Sequence, residues 1–234
     1  MNTKNKEATD STITVVIPAL DEEKGIGSTI LELKEVLEDP HYLVVDGNSV
    51  DRTAEIARRM EAEVVTQEGG RGKGQAIAQA LDHINWDTRY VVFIDADFTY
   101  PAEYIRRMIQ ILEDNPYVGM VIGNRFNERF KLKAMSNAYY LGNRLLAWTQ
   151  YFLNGTKLRD PLTGLRVVRW EVLRKWRPKS KGFDVEAELN HHVKRMGYHT
   201  VEVPINYRER LGDKKLRLRH GFTILKRILL QGIT

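Results

Sequence analysis

The sequence predicts an α/β protein with a mainly parallel β-sheet flanked by helices. Short apolar runs, rich in β-branched residues, alternate with segments whose apolar residues recur at helical spacing. The connections are short, and this alternation is typical of parallel sheets covered by helices. Ligands of such sheets bind beyond the carboxyl ends of the strands. Polar and glycine-rich residues follow each of the first four predicted strands, and these are the candidate site residues.

The first part of the chain supplies the alternation. The predicted order is strand Ile13–Ile17, helix Ile26–Leu37, strand Tyr42–Val45, helix Thr53–Met60, strand Glu63–Thr66, helix Gln75–Ile84 and strand Val91–Ile94. Asp51 and Thr53 stand where the second helix begins. Small polar side chains cap free N–H groups at such positions, and we expect them to have this role.

The fourth strand ends at two aspartates, Asp95 and Asp97. Carboxylates at alternate positions of an extended segment point to the same side. Together they form a hard oxygen site suited to Mg²⁺ or Mn²⁺, and a cation would offset their mutual repulsion. The alternative for so short a pattern is an ordinary turn capped by Asp.

A glycine-rich segment, Gly69–Gly74, follows the third strand and contains two cations. Its spacing is not that of a P-loop. The segment could approach phosphates closely, and Lys73 is the better cation because it stands nearer the start of the next helix. The alternative is a flexible turn into that helix.

Composition and charge exclude several classes of protein. The chain has 234 residues and no cysteine, which suits one domain without disulfides or thiolate metal sites. Neither a signal peptide nor an 18-residue apolar run is present, so no transmembrane helix is predicted. Residues 204–234 hold eight Lys or Arg against two acidic residues. This basic cluster fits an anionic membrane or a phosphorylated substrate. No nucleic-acid-binding motif accompanies it, so nucleic acid is not an expected partner.

Three motifs, Pro18–Glu22, Asp46–Thr53 and Asp95–Asp97, resemble family 2 of the glycosyltransferases in order and spacing. The resemblance covers residues 14–230 and implies the Rossmann-like GT-A fold. Within the family the chain is most similar to dolichyl-phosphate mannose synthases and to archaeal relatives that load glucose or N-acetylglucosamine. The segments that indicate this subgroup are Gly123–Phe126, Asp160–Arg166, Lys181–Glu188 and Val203–Arg210.

The resemblance implies a nucleotide-sugar donor: UDP-glucose, UDP-N-acetylglucosamine or GDP-mannose. Asp97 would bind the metal, and Asp95 would assist or contact the ribose, while Thr99 stands where relatives often have a metal-binding Gln. Asp46, beside Val44, would accept a hydrogen bond from a ring N–H of the base. The full set of expected nucleotide-sugar residues is Pro18, Leu20, Glu22, Val44, Asp46, Lys73, Asp95, Ala96 and Arg210.

The resemblance also implies a polyprenyl or dolichyl phosphate acceptor and one displacement with inversion. A phosphate oxygen is already anionic and needs no general base, whereas cations are needed to hold two phosphates together. Arg125, with Asn143, is expected at the acceptor phosphate, and Arg208 or Arg210 at the donor diphosphate. The expected catalytic residues are Asp97, Arg125 and Arg208. The alternative for each Arg is a solvated surface position.

Two rival functions remain open. One is a soluble family 2 enzyme that acts on a sugar or protein hydroxyl, with Asp184 or Glu186 as its base. Glu188, on the same segment, is assigned to sugar contact or structure. The other rival is a basic binding module for nucleic acid or membrane, without catalysis, which would leave Asp95 and Asp97 unexplained.

Two segments, Ala134–Phe152 and Gly221–Gln231, carry apolar faces near cations. Each is either an amphipathic helix in the headgroup plane, with Phe222, Leu225, Ile228 and Leu229 inserted in the second case, or a core helix. The predicted organisation is a polar tail (residues 1–11), a GT-A catalytic domain (12–213) and a basic amphipathic segment (214–234). The expected location is peripheral, on the cytoplasmic face of a membrane.

Overall fold

The structure is a computed structural model that describes residues 12–126, 137–215 and 220–232, and the side chains within these ranges except those of residues 137–139. The predicted polar tail therefore lies outside the described residues, as do Arg217 and Arg219 of the basic segment.

One mixed seven-stranded sheet forms the centre of the described chain. Its strands are β1 Ile13–Ala19, β2 His41–Asp46, β3 Glu63–Thr66, β4 Tyr90–Phe93, β5 Val118–Asn124, β6 Arg166–Arg169 and β7 His199–Pro204. Their spatial order is β3-β2-β1-β4-β6-β5-β7. β6 is antiparallel to both neighbours, and the remaining pairs are parallel. The predicted α/β class with a mainly parallel sheet is confirmed.

Helices cover both faces of the sheet. They are α1 Ile26–Val36, α2 Thr53–Arg59, α3 Lys73–Ala80, α4 Ile105–Asp114, α5 Asn137–Asn154, α6 Trp170–Leu173, α7 Val185–Arg195 and α8 His220–Gln231. Helix α3 begins and ends earlier in the sequence than the predicted helix Gln75–Ile84. The N–H groups of Asp82 and His83 bond to carbonyls three residues earlier, and these tighter turns end the helix.

Alternation along β1 builds a core on each face. Val15 and Ile17 pack with Ile30 and Leu33 of α1 on one side. On the other face, Val16 belongs to a core that includes Ala76 and Ile77 of α3. Because successive strand residues point to opposite faces, a continuous apolar strand needs helices on both sides. This arrangement directs the strand ends, rather than the faces of the sheet, towards ligands.

A third apolar cluster fixes the C-terminal helix. Ile224 and Ile228 of α8 are buried against Leu146 of α5 and Ala187 of α7. The prediction that Ile228 inserts into a membrane is therefore wrong, because this side chain is fully buried within the protein. Leu225 is partly buried beside the cluster, whereas Phe222 and Leu229 are exposed.

The start of α1 lies against the loop that follows β4. A Cβ built on Gly25 would stand 2.6 Å from the carbonyl oxygen of Ala96 and 2.8 Å from Cα of Asp97. Thr29 accepts a hydrogen bond from the N–H of Phe98 and donates one to the carbonyl of Ala96. The Asp95-Ala96-Asp97 backbone is therefore held by helix α1.

We expect Gly25→Ala to destabilise the protein, because the added methyl would force the helix and the aspartate loop apart. Overpacking of this kind costs about 1–3 kcal/mol. The measurement is urea unfolding of the variant beside Gly182→Ala, whose Cβ would meet its nearest atom at 3.6 Å, an ordinary contact. Equal stabilities of the two variants would contradict the close approach.

Candidate active site

A cavity of about 590 Å³ lies at the edge of the sheet where the parallel strands end. Pro18, Ala19 and Leu20 border it after β1, and Gly47 borders it after β2. The segment after β4 supplies Asp95, Ala96 and Asp97. Of the predicted site residues, the structure brings together Pro18, Leu20, Glu22, Lys73, Asp95, Ala96, Asp97, Arg125, Asn143 and Arg210. The positions of these strand ends follow from the parallel sheet.

Asp95 is neutralised by a lysine from the neighbouring helix. The Lys73 ammonium lies 2.5 Å from Oδ1 of Asp95 and 2.6 Å from Oε1 of Glu186. Burial raises the pKa of Asp95, but the adjacent Lys73 outweighs burial and holds it below its ordinary value. Burial lowers the pKa of Lys73, but its two carboxylate partners more than reverse this effect. The charge of Lys73 is therefore engaged with carboxylates of the protein.

Asp97 has a different counterion. Nη1 of Arg210 lies 2.8 Å from Oδ2 of Asp97, and the same guanidinium pairs with Glu22. The Thr99 hydroxyl donates to Oδ1 of Asp97 at 2.6 Å, so Thr99 orients the carboxylate. Burial and the nearby Asp95 raise the pKa of Asp97, despite Arg210. Burial also raises the pKa of Glu22 to about 7, against the opposing effect of Arg210.

These carboxylates are the candidate metal ligands. Among the described residues, no three His, Cys, Asp or Glu side chains stand close enough to hold a metal by themselves. Asp95 and Asp97 nevertheless each face a cation, which shows that this end of the cavity favours positive charge. Two carboxylates fit Mg²⁺ or Mn²⁺ when substrate phosphates and water complete the coordination, as is usual for Mg²⁺.

Arg125 begins the segment after β5 and is nearly enclosed. Its Nε and Nη2 donate to Asp160 at 2.7 Å each, in a bidentate pair. The guanidinium also lies over the rings of Phe126 and Tyr207. Arg125 lines the cavity but already has a carboxylate partner, so its orientation is fixed by the protein.

Three predicted site residues do not line the cavity. Val44 is fully buried among core residues on the α1 face of the sheet, because β2 directs it away from the strand end. Arg208 makes a bidentate pair with Glu32 and lies over the Phe98 ring. In this geometry Arg210, not Arg208, is the cation of this segment that faces the cavity.

Asp46, the third, is buried directly before Gly47, a lining residue. Its Oδ2 accepts the N–H of Ser49 at 3.2 Å. Its Oδ1 has no hydrogen-bond partner in the described part of the chain. A buried acceptor without a partner is costly, so this oxygen is suited to a donor on a ligand.

Of the two predicted capping residues, only Asp51 accepts an N–H at the start of α2, and the Thr53 side chain does not cap this helix. Asp51 accepts the N–H of Thr53, the first residue of α2, and also the N–H of Glu23. The Thr53 hydroxyl accepts the N–H of Glu22. The two side chains thus connect the loop after β1 to the loop after β2, beside the cavity.

Several lining residues were not predicted from the sequence. Gln67 and Arg71 border the cavity near the end of β3. Gln67 directly follows this strand, so the rule that ligands bind beyond the carboxyl ends of the strands could have identified it. Lys214 and Lys215 also line the cavity, although the sequence analysis identified them only as members of the basic cluster in residues 204–234. Gly142, on α5, lines it as well, and no pattern in the sequence indicated this position.

Comparisons with known proteins agree with the fold. Residues 14–177 match the family described as Glycosyl transferase family 2. A dolichyl-phosphate hexose transferase from Haloferax volcanii is 34% identical over 212 residues, covering 90% of this chain and 89% of that protein. A polyprenol monophosphomannose synthase from Mycolicibacterium smegmatis is 26% identical over 226 residues, with 86% and 80% covered.

Solved structures share the architecture. Glucosyl-3-phosphoglycerate synthase from Mycobacterium tuberculosis, in complex with Mn²⁺, UDP-glucose and phosphoglyceric acid, superposes with a TM-score of 0.73. It is 24% identical, and the match covers 94% of this chain and 79% of that one. The family match spans well over half of the sequence and includes the β1, β2 and β4 strand ends that border the cavity. The chain therefore belongs to glycosyl transferase family 2 and is a glycosyltransferase.

Proposed function

We propose that this enzyme transfers a hexose from a nucleotide-diphosphate sugar to dolichyl or another polyprenyl phosphate, with inversion, in protein glycosylation. It would work with Mg²⁺ or Mn²⁺ while bound peripherally to the cytoplasmic face of a membrane. The names of the Haloferax and Mycolicibacterium relatives support this acceptor class. UDP-glucose, UDP-N-acetylglucosamine and GDP-mannose are the candidate donors.

The observation that carries the proposal is the chemical asymmetry of the cavity. One end holds carboxylates and cations at the strand ends, including Asp95, Asp97 and Arg210. The other end is bordered by apolar side chains, namely Leu146, Leu162, Phe183 and Ile224. A nucleotide-sugar fits the first end, and a lipid attached to a phosphate fits the second. A small polar acceptor would make no contact with the apolar side chains at the second end.

In the proposed donor site, Asp46 uses its free oxygen to accept an N–H of the base, near Gly47. Asp97, assisted by Asp95, would hold the metal, which neutralises charge on the departing diphosphate. Arg210 stands beside Asp97 and would contact the same diphosphate. Lys73 keeps its two carboxylate partners and so positions Asp95, a different role from the phosphate contact that the sequence suggested.

In the proposed reaction, an oxygen of the acceptor phosphate attacks the anomeric carbon. The bond from that carbon to the acceptor oxygen forms as the bond to the diphosphate oxygen breaks. No proton has to be removed, because the phosphate oxygen is already anionic. Arg125, held by Asp160, lines the cavity where it could orient the acceptor phosphate. Asn143 also lines the cavity.

One observation favours the rival hydroxyl acceptor. Oε2 of Glu186 is buried and has no hydrogen-bond partner within the described ranges, and Glu186 lines the cavity. It could serve as a base, although its other oxygen is paired with Lys73. Asp184 is a poorer candidate because Nε of Arg227 lies 3.0 Å from its Oδ2. A sugar hydroxyl of the donor would satisfy Glu186 equally well.

The deciding experiment measures sugar transfer with Mn²⁺, each of the three nucleotide-sugars, and either dolichyl phosphate or a soluble sugar acceptor. We expect product only with dolichyl phosphate, and a loss of rate of at least about 100-fold in Asp97→Asn, because the leaving group is then poorly neutralised. Asp82→Asn removes an exposed carboxylate and serves as the charge control. Transfer only to the soluble acceptor, abolished by Glu186→Gln, would establish the rival instead.

A second prediction concerns the competition at Asp97. Without nucleotide, a metal ion must displace Arg210 from this carboxylate, so Arg210→Gln should bind Mn²⁺ more tightly than the wild type. Asp97→Asn should bind it more weakly, because a ligand charge is lost. Mn²⁺ titration followed by electron paramagnetic resonance measures both. The Arg210→Gln variant should at the same time bind the nucleoside diphosphate more weakly, because the diphosphate loses a cationic partner. Unchanged Mn²⁺ affinity in both variants would place the metal elsewhere.

The proposed membrane contact is an exposed apolar face on two adjacent helices. On α5 it comprises Leu141, Leu145, Trp148, Tyr151 and Phe152, and on α8 it comprises Phe222, Leu229 and Leu230. Contiguous exposed apolar surface marks an interaction site, and a lipid acceptor makes a membrane the fitting partner. None of the helices in the described ranges is long and apolar enough to cross a bilayer.

We expect a variant with Trp148→Ser, Phe152→Ser and Phe222→Ser to lose most of its binding to anionic liposomes in co-sedimentation. Salt should weaken the binding of the wild type only in part, because apolar insertion is not screened. The matched control is Trp86→Ser with Tyr117→Ser, which removes exposed aromatic side chains outside this face. Equal loss in both variants, or none in either, would argue against the assigned face.

A further inference from the structure

The apolar end of the cavity is bordered by two glycines that the proposed reaction does not use. Gly142 stands on α5 one turn before Leu146, and Gly221 stands near the start of α8, one turn before Ile224. All four residues line the cavity. The sequence neighbours Leu141 and Phe222 are exposed, at 65% and 77%. The glycines therefore lie where the cavity adjoins the exposed apolar face.

Close packing does not explain these glycines. Apart from the adjacent residues and the backbone of its own helix, a Cβ at Gly142 or at Gly221 would have no atom of the described residues within 4 Å. At Gly72 and Gly74, by contrast, it would meet backbone oxygens at 2.2 Å and 2.1 Å. Glycine within a helix costs about 1 kcal/mol relative to alanine. Gly142 bears this cost without a backbone packed against it, which indicates that the space beside it serves another purpose.

The side chain next to Gly142 independently points to a ligand. Asn143 is only 5% exposed and lines the cavity. Its Nδ2 donates to the carbonyl of Arg159 at 3.5 Å, while its Oδ1 has no hydrogen-bond partner in the part of the chain that the structure describes. A buried acceptor of this kind needs a donor, which a sugar hydroxyl or a water on a phosphate would supply.

Cations converge where this passage meets the charged end. Arg125 and Lys214 both line the cavity. Burial, and then the nearby Arg125 and Arg210, hold the pKa of Lys214 below its ordinary value. A bound phosphate would relieve the repulsion among these positive charges. The cavity is therefore lined by these cations, by the Asn143 amide beside Gly142, and by the apolar side chains near the two glycines.

We propose that Gly142 and Gly221 keep open a passage beside α5 and α8 through which the first isoprene units of the acceptor leave the cavity. The acceptor phosphate stays at Lys214 and Arg125, and the chain continues onto the exposed apolar face. This inference rests on the proposed function, because it requires a prenyl phosphate acceptor. It adds Lys214 and the two glycines to the residues that recognise that acceptor.

The test measures the KM for dolichyl phosphate in the wild type, Gly142→Leu and Gly221→Leu. We expect each leucine to raise KM by about tenfold or more, equivalent to ~1.4 kcal/mol, by filling the passage. Binding of the nucleoside diphosphate should be unchanged, since it occupies the other end. Thr223→Leu adds similar bulk at an exposed position of α8 and should leave KM as in the wild type.

Thermal unfolding checks that each variant is folded. Gly142→Ala should raise the melting temperature, because the methyl meets no neighbour and favours the helix. If only one leucine variant folds, that variant decides the question. Wild-type KM in a folded leucine variant would overturn the passage while leaving the proposed function intact. A wild-type enzyme that transfers sugar to no prenyl phosphate would overturn both.

Discussion

The site depends on one electrostatic constraint, the repulsion between two carboxylates that are separated by a single residue at the end of a central strand. Asp95 and Asp97 repel each other, and burial increases the cost of their charge. The protein offsets this cost with one cation for each, Lys73 from α3 and Arg210 from the segment after β7. Each cation also pairs with a second carboxylate, so elements distant in sequence are drawn to the strand end. The shape of the cavity follows from this convergence.

The sequence predicted the features that depend on local pattern. Apolar runs and helical spacing predicted the alternation of strands and helices through β4. The expectation that ligands bind at the carboxyl ends of the strands identified Glu22, Asp95 and Asp97. The pattern could not give the direction of β6, because periodicity is the same in parallel and antiparallel strands. It also missed the pairs that fix Arg125 and Arg208, whose partners lie 35 and 176 residues away. Such pairs depend on tertiary structure, and they decide which arginine faces the cavity.

The charged and apolar ends of the cavity come from different parts of the fold. The charged end is formed by strand ends, which any GT-A sheet brings together. The apolar end is formed by α5, α8 and the loops near Leu162 and Phe183. The proposed donor recognition therefore belongs to the sheet, and the proposed acceptor recognition belongs to added helices. This division explains why the glycosyltransferase family follows from the strand motifs, whereas the acceptor has to be argued from helix surfaces.

The position of β6 affects how the chain reaches its native state. β6 lies between β4 and β5, although it follows both in the sequence. β1, β2 and β3 pair through short crossovers, but one edge of β4 stays unpaired until residues 166–169 are available. Exposed strand edges invite aggregation, and contacts between distant residues form slowly. Arg210 joins Asp97 later still. During synthesis, the N-terminal half thus emerges with an open sheet edge and with Asp97 lacking its arginine partner, so this half is exposed to edge-to-edge pairing until β6 has been made.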